Sequence, residues 1–102
     1  MSTSVNSMRP LVAVQVNVTE DTLVVELNDG RTLSVPISWY PRLENATPRE
    51  RSDWALVGGG SGIHWELLDE DISVQALIAG KTSSESQISL KRWLAKRPTT
   101  FR

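Results

Sequence analysis

One histidine stands beside a group of acidic residues, and this combination is where the chain could do chemistry. The histidine is His64, and four carboxylates follow it within seven residues, at Glu66, Asp69, Glu70 and Asp71. An imidazole with carboxylates could bind a divalent metal ion or act as a general base. A site with a single histidine also needs carboxylates that converge from several elements, which sequence spacing alone does not provide. We therefore predict a surface histidine beside an acidic turn, with no metal ligands and no cofactor.

The glycine-rich run at residues 58–62 does not complete a catalytic motif. No Lys-Ser or Lys-Thr pair follows it, and a G-x-G-x-x-G motif that starts at Gly58 would need glycine where Ile63 stands. The nucleophile motif G-x-S-x-G around Ser61 fails at the same position. Cysteine is absent, which excludes thiolate catalysis, disulfides and cysteine zinc sites. These observations predict a non-catalytic protein in which the glycines form a turn or loop.

The acidic run at residues 69–71 has two explanations. It lies just before a predicted helix that starts at Ser73, where the helix dipole favours negative charge. Three adjacent acids also repel one another, which favours a cationic partner. Bidentate arginine–carboxylate pairs could supply that partner from within the chain. The candidates are Arg42, Arg49 and Arg51.

An adjacent aromatic pair, Trp39-Tyr40, is the second recognition feature. Neighbouring residues of a helix cannot both face the core, so we predict that one of the two rings is exposed and serves as a binding anchor. The aromatic pair and the charged residues together form a predicted partner-binding set. Its members are Trp39, Tyr40, Arg42, Arg51, His64, Asp69, Glu70 and Asp71.

Charge is distributed unevenly along the chain. From Lys81 to the end there are six basic residues and one acid, Glu85, whereas residues 44–71 hold seven acids and two arginines. The basic tail could fold back on the acidic middle, pair with another subunit or contact a polyanion. For nucleic acid, cations and an aromatic ring would meet the backbone and the bases. The residues for that alternative are Lys91, Arg92, Trp93, Lys96 and Arg97.

Length and composition indicate one ordinary globular domain. The chain has 102 residues, of which 39% are hydrophobic and 23% charged, and a formal net charge of −1. Such a charge exerts no general attraction toward nucleic acid or an acidic membrane. No apolar run is long enough to span a bilayer, and we see no signal peptide at the start. We expect a cytoplasmic protein without membrane association.

Alternating apolar residues predict three short strands. Val12, Val14, Val16 and Val18 recur with a period of two, and residues 23–27 and 33–35 continue that pattern. Asp29-Gly30 supplies the positive φ of a tight hairpin, and Pro36 ends the third strand or places it at an edge. The predicted fold class is α+β: a three-stranded antiparallel meander, with short extended segments, covered by short helices and followed by a C-terminal helix.

Capping signals predict two short helices after the meander. Ser38 can cap the first, with Pro41 in its first turn. Thr47 caps the second, Pro48 takes the first helical position and Glu50 completes a capping box. Each of these helices is short.

Further along, residues 55–57 and 63–65 are predicted to be extended on either side of the glycines. A helix is predicted from Ser73, which caps it, to Gly80, which ends it. We divide the chain into one α+β domain at residues 8–80 and a basic tail at residues 81–102.

The tail contains one more predicted helix of about 11 residues. Ser84 and Gln87 form a possible capping box, and Pro98 ends the helix. An apolar stripe runs along it at Leu90, Trp93 and Leu94. Because so short a helix is marginal alone in water, it must dock on its own domain or on a partner.

Three spaced blocks resemble a known family. They are residues 28–37 (Asn-Asp-Gly-Arg-Thr-Leu-Ser-Val-Pro-Ile), then Trp39-Tyr40-Pro41-Arg42-Leu43 with Ala46-Thr47 and Glu50-Arg51, then Ile63-His64-Trp65 with Leu68 to Val74, Leu77 and Gly80. Together, over about residues 8–80, they resemble the domain of unknown function numbered 2442, found in small bacterial and phage-associated proteins.

The resemblance implies a small α+β domain without established catalytic residues. Many members sit beside a small partner from a family of unknown function numbered 4160, in an arrangement similar to toxin–antitoxin pairs, and some carry a helix-turn-helix domain. Glu66 departs from the proline that often follows the family's tryptophan. The segment after Gly80 lies outside the resemblance and is too short for a helix-turn-helix domain.

Our leading hypothesis is a protein–protein interaction module, the antitoxin-like half of a bacterial pair. Its partner would be a small protein that the adjacent gene could encode, and homo-oligomers are a further option. Nucleic-acid binding through the tail is the alternative. A metal-dependent hydrolase built on His64 and its neighbouring carboxylates is a third hypothesis.

Overall fold

The computed structural model describes residues 10–97, which begin with a three-stranded antiparallel sheet. Its strands are β1 (Ala13–Val18), β2 (Thr22–Leu27) and β3 (Thr32–Pro36), in the order β1-β2-β3. The predicted meander is confirmed, with its hairpin turn at Asp29-Gly30 and its last strand ending at Pro36. The α+β fold class is likewise confirmed.

The period-two pattern of the first valines predicts that they share one buried face of the strand, and this is wrong at the start of β1. A β-bulge shifts the register there, so that Ala13 pairs with Leu27 and Gln15 with Glu26. The extra residue reverses the alternation on one side of the bulge. As a result Ala13 is 2% exposed and Val14 is 52% exposed, while Val16 stays buried as predicted.

A second antiparallel sheet follows, made of β4 (Trp54–Val57), β5 (Gly62–Trp65) and β6 (Glu70–Ser73). The first two strands are the predicted extended segments. The third replaces the acidic turn expected before the helix. A 3₁₀ turn at Glu66–Leu68 ends in Asp69, whose left-handed φ of 51° reverses the chain and starts the new strand.

Four short α-helices complete the described residues: α1 (Pro41–Glu44), α2 (Pro48–Ser52), α3 (Val74–Ile78) and α4 (Gln87–Ala95). The capping box of Thr47 and Glu50 and the cap at Ser73 form as predicted. Ser38 is not a cap, because it lies inside a 3₁₀ turn at Ile37–Trp39.

The start of the tail helix also differs from its prediction. Ser86, not Ser84, caps α4 by accepting a hydrogen bond from the backbone nitrogen of Ser89 at 3.0 Å. The helix has nine residues. The predicted stop at Pro98 lies outside the described residues.

Both sheets contribute to one hydrophobic core. Trp65 is its largest fully buried side chain, and its other members come from β1 to α3. The next largest fully buried side chains are Leu23, Leu43, Ile63 and Leu68. None of the helices found in residues 10–97 is long and apolar enough to cross a membrane.

The glycine turn between β4 and β5 packs against the first sheet. Gly60 has a φ of 96°, and a Cβ atom there would lie 2.6 Å from the carbonyl oxygen of Ala13. Gly59 also has a positive φ, 68°, yet a Cβ atom there would meet nothing within 4 Å. The predicted turn therefore has a packing role in joining the two sheets.

We expect Gly60→Ala to destabilise the fold by about 1–3 kcal/mol more than Gly59→Ala, because only the former adds a collision with backbone. Both substitutions place alanine at positive φ, so Gly59→Ala is the matched control for that cost. The free energies of unfolding from urea denaturation provide the measurement. Equal losses in the two variants would contradict the packing role.

Candidate functional site

His64 is held between two carboxylates on the outer face of the second sheet. Because side chains alternate along β5, the burial of Trp65 directs His64 outward, where Asp71 is its partner across β6. Nδ1 of His64 lies 2.7 Å from Oδ1 of Asp71, and Nε2 lies 2.8 Å from Oε1 of Glu66. The two carboxylate side chains are 73% and 84% exposed, respectively. We call this arrangement the histidine clamp.

The hydrogen bonds to Glu66 and then Asp71 raise the pKa of His64 above its usual value. Both ring nitrogens can donate only in the imidazolium form, so the clamp favours the charged ring. With each nitrogen bonded to a carboxylate, neither is directed at a metal position. Throughout residues 10–97, no three histidine or carboxylate side chains are grouped to hold a metal ion.

The arginines expected to pair with the acidic run form no ion pair with it within residues 10–97. Among the described residues, no lysine or arginine forms an ion pair with Glu66, Asp69, Glu70 or Asp71. Arg51 instead donates to the carbonyl oxygens of Leu43 and Glu44, at 3.0 and 2.9 Å. The turn at Asp69 explains the difference, because it presents backbone carbonyls rather than side chains to the nearest arginine, Arg42.

Around the clamp, the outer face of the second sheet is open. One row across the strands is Ala55, His64 and Asp71, and the next is Val57, Gly62 and Ser73. Val57 is 43% exposed. We call this surface, with Glu66 beside it, the acidic face. Within the described residues, it combines two carboxylates that are paired only with His64 and one exposed apolar side chain, Val57.

Glu70 points away from the acidic face, because it alternates with Asp71 along β6. It is half-buried, and burial raises its pKa to about 7, with Arg42 opposing the shift and Glu85 adding to it. Near neutral pH this carboxyl is therefore partly protonated.

The aromatic pair is not the exposed anchor that was predicted. Tyr40 is buried and its hydroxyl donates to the carbonyl oxygen of Lys81 at 3.1 Å. Trp39 is half-buried against the core, and its carbonyl oxygen accepts from the backbone nitrogen of Ser83 at 3.0 Å. Neither ring is free because the first residues of the tail run over the pair.

Arg42 is also covered by the tail. Its Nη1 donates to the carbonyl oxygens of Leu68 and Asp69, at 3.0 and 3.1 Å. Its Nε lies 2.9 Å from one carboxylate oxygen of Glu85, and its Nη2 lies 2.8 Å from the other. The guanidinium thus joins the domain to the tail.

The tail residues proposed for nucleic acid divide into two groups. Trp93 lies under the guanidinium groups of Arg42 and Arg97, at 5.2 and 4.6 Å from the ring centroid, and Arg97 pairs with Glu50 at 2.7 Å. A groove of about 430 Å³ separates this part of α4 from Asp69. The remaining three cations are exposed, at Lys91, Arg92 and Lys96.

Glu85 and Glu50 are the residues that sequence reasoning missed. Glu85 stood out only as the single acid of a basic tail, and that isolation is the one signal that could have marked it as a pairing residue. Its partner lies 43 positions earlier in the chain, and Glu50 lies 47 positions before Arg97. No local pattern connects residues so far apart.

Comparisons with known proteins agree with this architecture. The model of a family described as "Protein of unknown function (DUF2442)" matches residues 13–83. A crystal structure of a protein of unknown function from Rhodospirillum rubrum is similar with a TM-score of 0.66 and 27% identity, covering 78% of this chain and 99% of that chain. An NMR structure of an uncharacterized protein from Chromobacterium violaceum has a TM-score of 0.62 and 25% identity, covering 85% of this chain and 76% of that chain. No curated protein matches.

We predict that Glu70→Gln makes stability less sensitive to pH. Because the folded-state pKa of Glu70 is raised, its stabilising contribution is complete below about pH 4.5 and is lost as the pH rises through about 7. The variant should match the wild type at pH 4.5 and exceed it by about 1–2 kcal/mol at pH 8, after allowance for solvent screening. Urea denaturation at both pH values, with Glu20→Gln as the charge-matched surface control, measures this. A difference that does not change with pH would contradict it.

Proposed function

The chain belongs to the DUF2442 family of proteins of unknown function, and we propose, from its own geometry, what it does. We propose that it is a non-catalytic protein–protein interaction module. The acidic face is the proposed interface. Its partner would be a small protein with a cationic segment, encoded by the adjacent gene of a bacterium. The pair would act in the cytoplasm, with this chain as the antitoxin-like component.

The histidine clamp is the observation that carries this proposal. It fixes two exposed carboxylates at the sheet surface, one opposite the histidine and one at the end of the same strand. Fixed carboxylates lose little conformational freedom when a cation binds, which lowers the entropic cost of association.

Charge distribution favours this face over the first sheet. The exposed strand residues of β1 to β3 include only one charged side chain, Glu26. On the acidic face, by contrast, the carboxylates have no lysine or arginine pair among the described residues. Opposite charge on a partner would speed association and fix its orientation. Val57 adds apolar area next to the charges.

The antitoxin-like role rests on the family resemblance together with the open face. Binding by an antitoxin needs a stable scaffold and a surface that complements its partner, and it needs no bond-breaking groups. The one titratable cluster on the outer face has its imidazole already bonded on both sides. We take these two hydrogen bonds as support for a recognition role, in which the imidazole orients the two carboxylates.

We expect Glu66→Gln combined with Asp71→Asn to weaken the complex with the adjacent gene product by about tenfold, or roughly 1.4 kcal/mol, since two of the interfacial charges are lost. Titration calorimetry of the purified pair gives the affinity, and the loss should shrink at high salt.

Glu26→Gln is the matched control, because it removes an exposed carboxylate from the first sheet. It should leave the affinity nearly unchanged. Recovery of only the lone chain after coexpression, or equal affinities for all three proteins, would contradict the proposal.

A further inference from the structure

Arg42 is positioned from one side by the domain itself. Its Nη1 group donates to the carbonyl oxygens of Leu68 and Asp69. These carbonyls converge because Asp69 adopts a left-handed conformation at the end of a 3₁₀ turn. All three residues lie within the part of the chain that the family model matches, residues 13–83. The domain therefore holds the guanidinium with its Nε–Nη2 edge turned away from the turn.

Glu85, outside that matched range, occupies this edge. Its carboxylate accepts from Nε at 2.9 and 3.1 Å and from Nη2 at 2.8 Å, and both side chains are largely shielded from solvent. A guanidinium edge matches the two oxygens of a carboxylate, so this geometry selects an acidic group over a neutral one. Glu85 also accepts a hydrogen bond from Ser89 Oγ at 2.7 Å, which couples the carboxylate to the first turn of α4.

The tail is attached to the domain by few and mostly polar contacts. None of the residues of α4 is buried, and the six residues before it, 81–86, form neither helix nor strand. Beyond Glu85, its anchors are two hydrogen bonds, from Tyr40 to Lys81 and from Ser83 to Trp39, the Trp93 ring packed against the core near Arg42, and the ion pair between Arg97 and Glu50. A nine-residue helix gains little stability by itself, so these contacts keep it folded and in place.

We propose that the cleft around Arg42 is a recognition site for a helical segment of a partner protein that carries a carboxylate just before its N-cap, and that residues 83–97 fill it in cis as an intrachain competitor. The tail defines the chemistry of that segment. It presents a carboxylate one residue before a serine N-cap and an aromatic ring eight residues after the carboxylate. A partner with this pattern would bind the same edge of the Arg42 guanidinium with its carboxylate and place its aromatic ring against Arg42 as Trp93 does.

This site differs in chemistry from the acidic face, since its central group is a cation and its ligand is an acid. The tethered tail has an effective concentration on the order of millimolar, so it outcompetes weak ligands in trans. Only a partner that binds more tightly, or a change that displaces the tail, opens the cleft. The tail thereby limits occupancy of the site to a high-affinity partner.

A labelled peptide of residues 83–97 tests the site directly, with fluorescence anisotropy and full-length protein. Glu85→Arg places a second guanidinium against Arg42 and should displace the tail. We expect the peptide to bind this variant about tenfold or more tightly than the wild type, because the competing tail is gone. The same peptide carrying Glu85→Gln should bind about tenfold more weakly than the unmodified peptide, because the carboxylate is missing.

Equal binding to the wild type and to Glu85→Arg, or equal binding of the two peptides, would overturn the proposal. Glu20→Arg is the control for added positive charge and should bind like the wild type. Arg42→Lys in the Glu85→Arg background should lose the gain, and far-UV circular dichroism establishes that it is folded. Sedimentation tests for a second copy of this chain as the occupant. A wild type that sediments as a dimer, with Glu85→Arg as a monomer, would overturn our assignment of the cleft to another protein.

Discussion

Complete burial of Trp65 is the constraint on which the rest of the structure depends. Its ring lies in the core that both sheets share, and its indole nitrogen donates to the carbonyl oxygen of Arg51 at 3.0 Å. Because residues alternate along a strand, an inward Trp65 requires an outward His64. The register of the second sheet then sets Asp71 opposite that histidine. The outer acidic face is thus a direct consequence of how the core is packed.

The inner side of the same sheet leads to the tail. Leu68 and Asp69, between β5 and β6, direct their carbonyl oxygens at Arg42, and the free edge of that arginine receives Glu85. Glu70 lies close to this contact and is kept partly protonated by burial. One short turn therefore separates two surfaces of opposite character: an acidic outer face, and a cationic cleft that the chain's own helix fills.

The first sheet and two of the four predicted caps, Thr47 and Ser73, could be predicted because their signals are local. Alternating valines and leucines, Asp29-Gly30 and the Thr47 capping box each act over a few residues. The bulge at Ala13 could not be predicted, since a bulge leaves no pattern in the sequence of one strand. Strand β6 could not be predicted either, because Glu70 and Asp71 are poor strand formers. The pairing of His64 with Asp71 depended on the register of the second sheet, which spacing along the chain does not give. Contacts of the tail span more than 40 positions and were beyond any local rule.

The central claim is that the outer face of the second sheet is a recognition surface. It is tested most directly by a nuclear magnetic resonance titration of the isotopically labelled chain with the adjacent gene product. The account predicts that the largest backbone shift changes cluster at Val57, His64, Glu66 and Asp71, with the strands of the first sheet little affected. Changes confined to β1, β2 and β3, or a spectrum that does not respond to the partner at all, would contradict it.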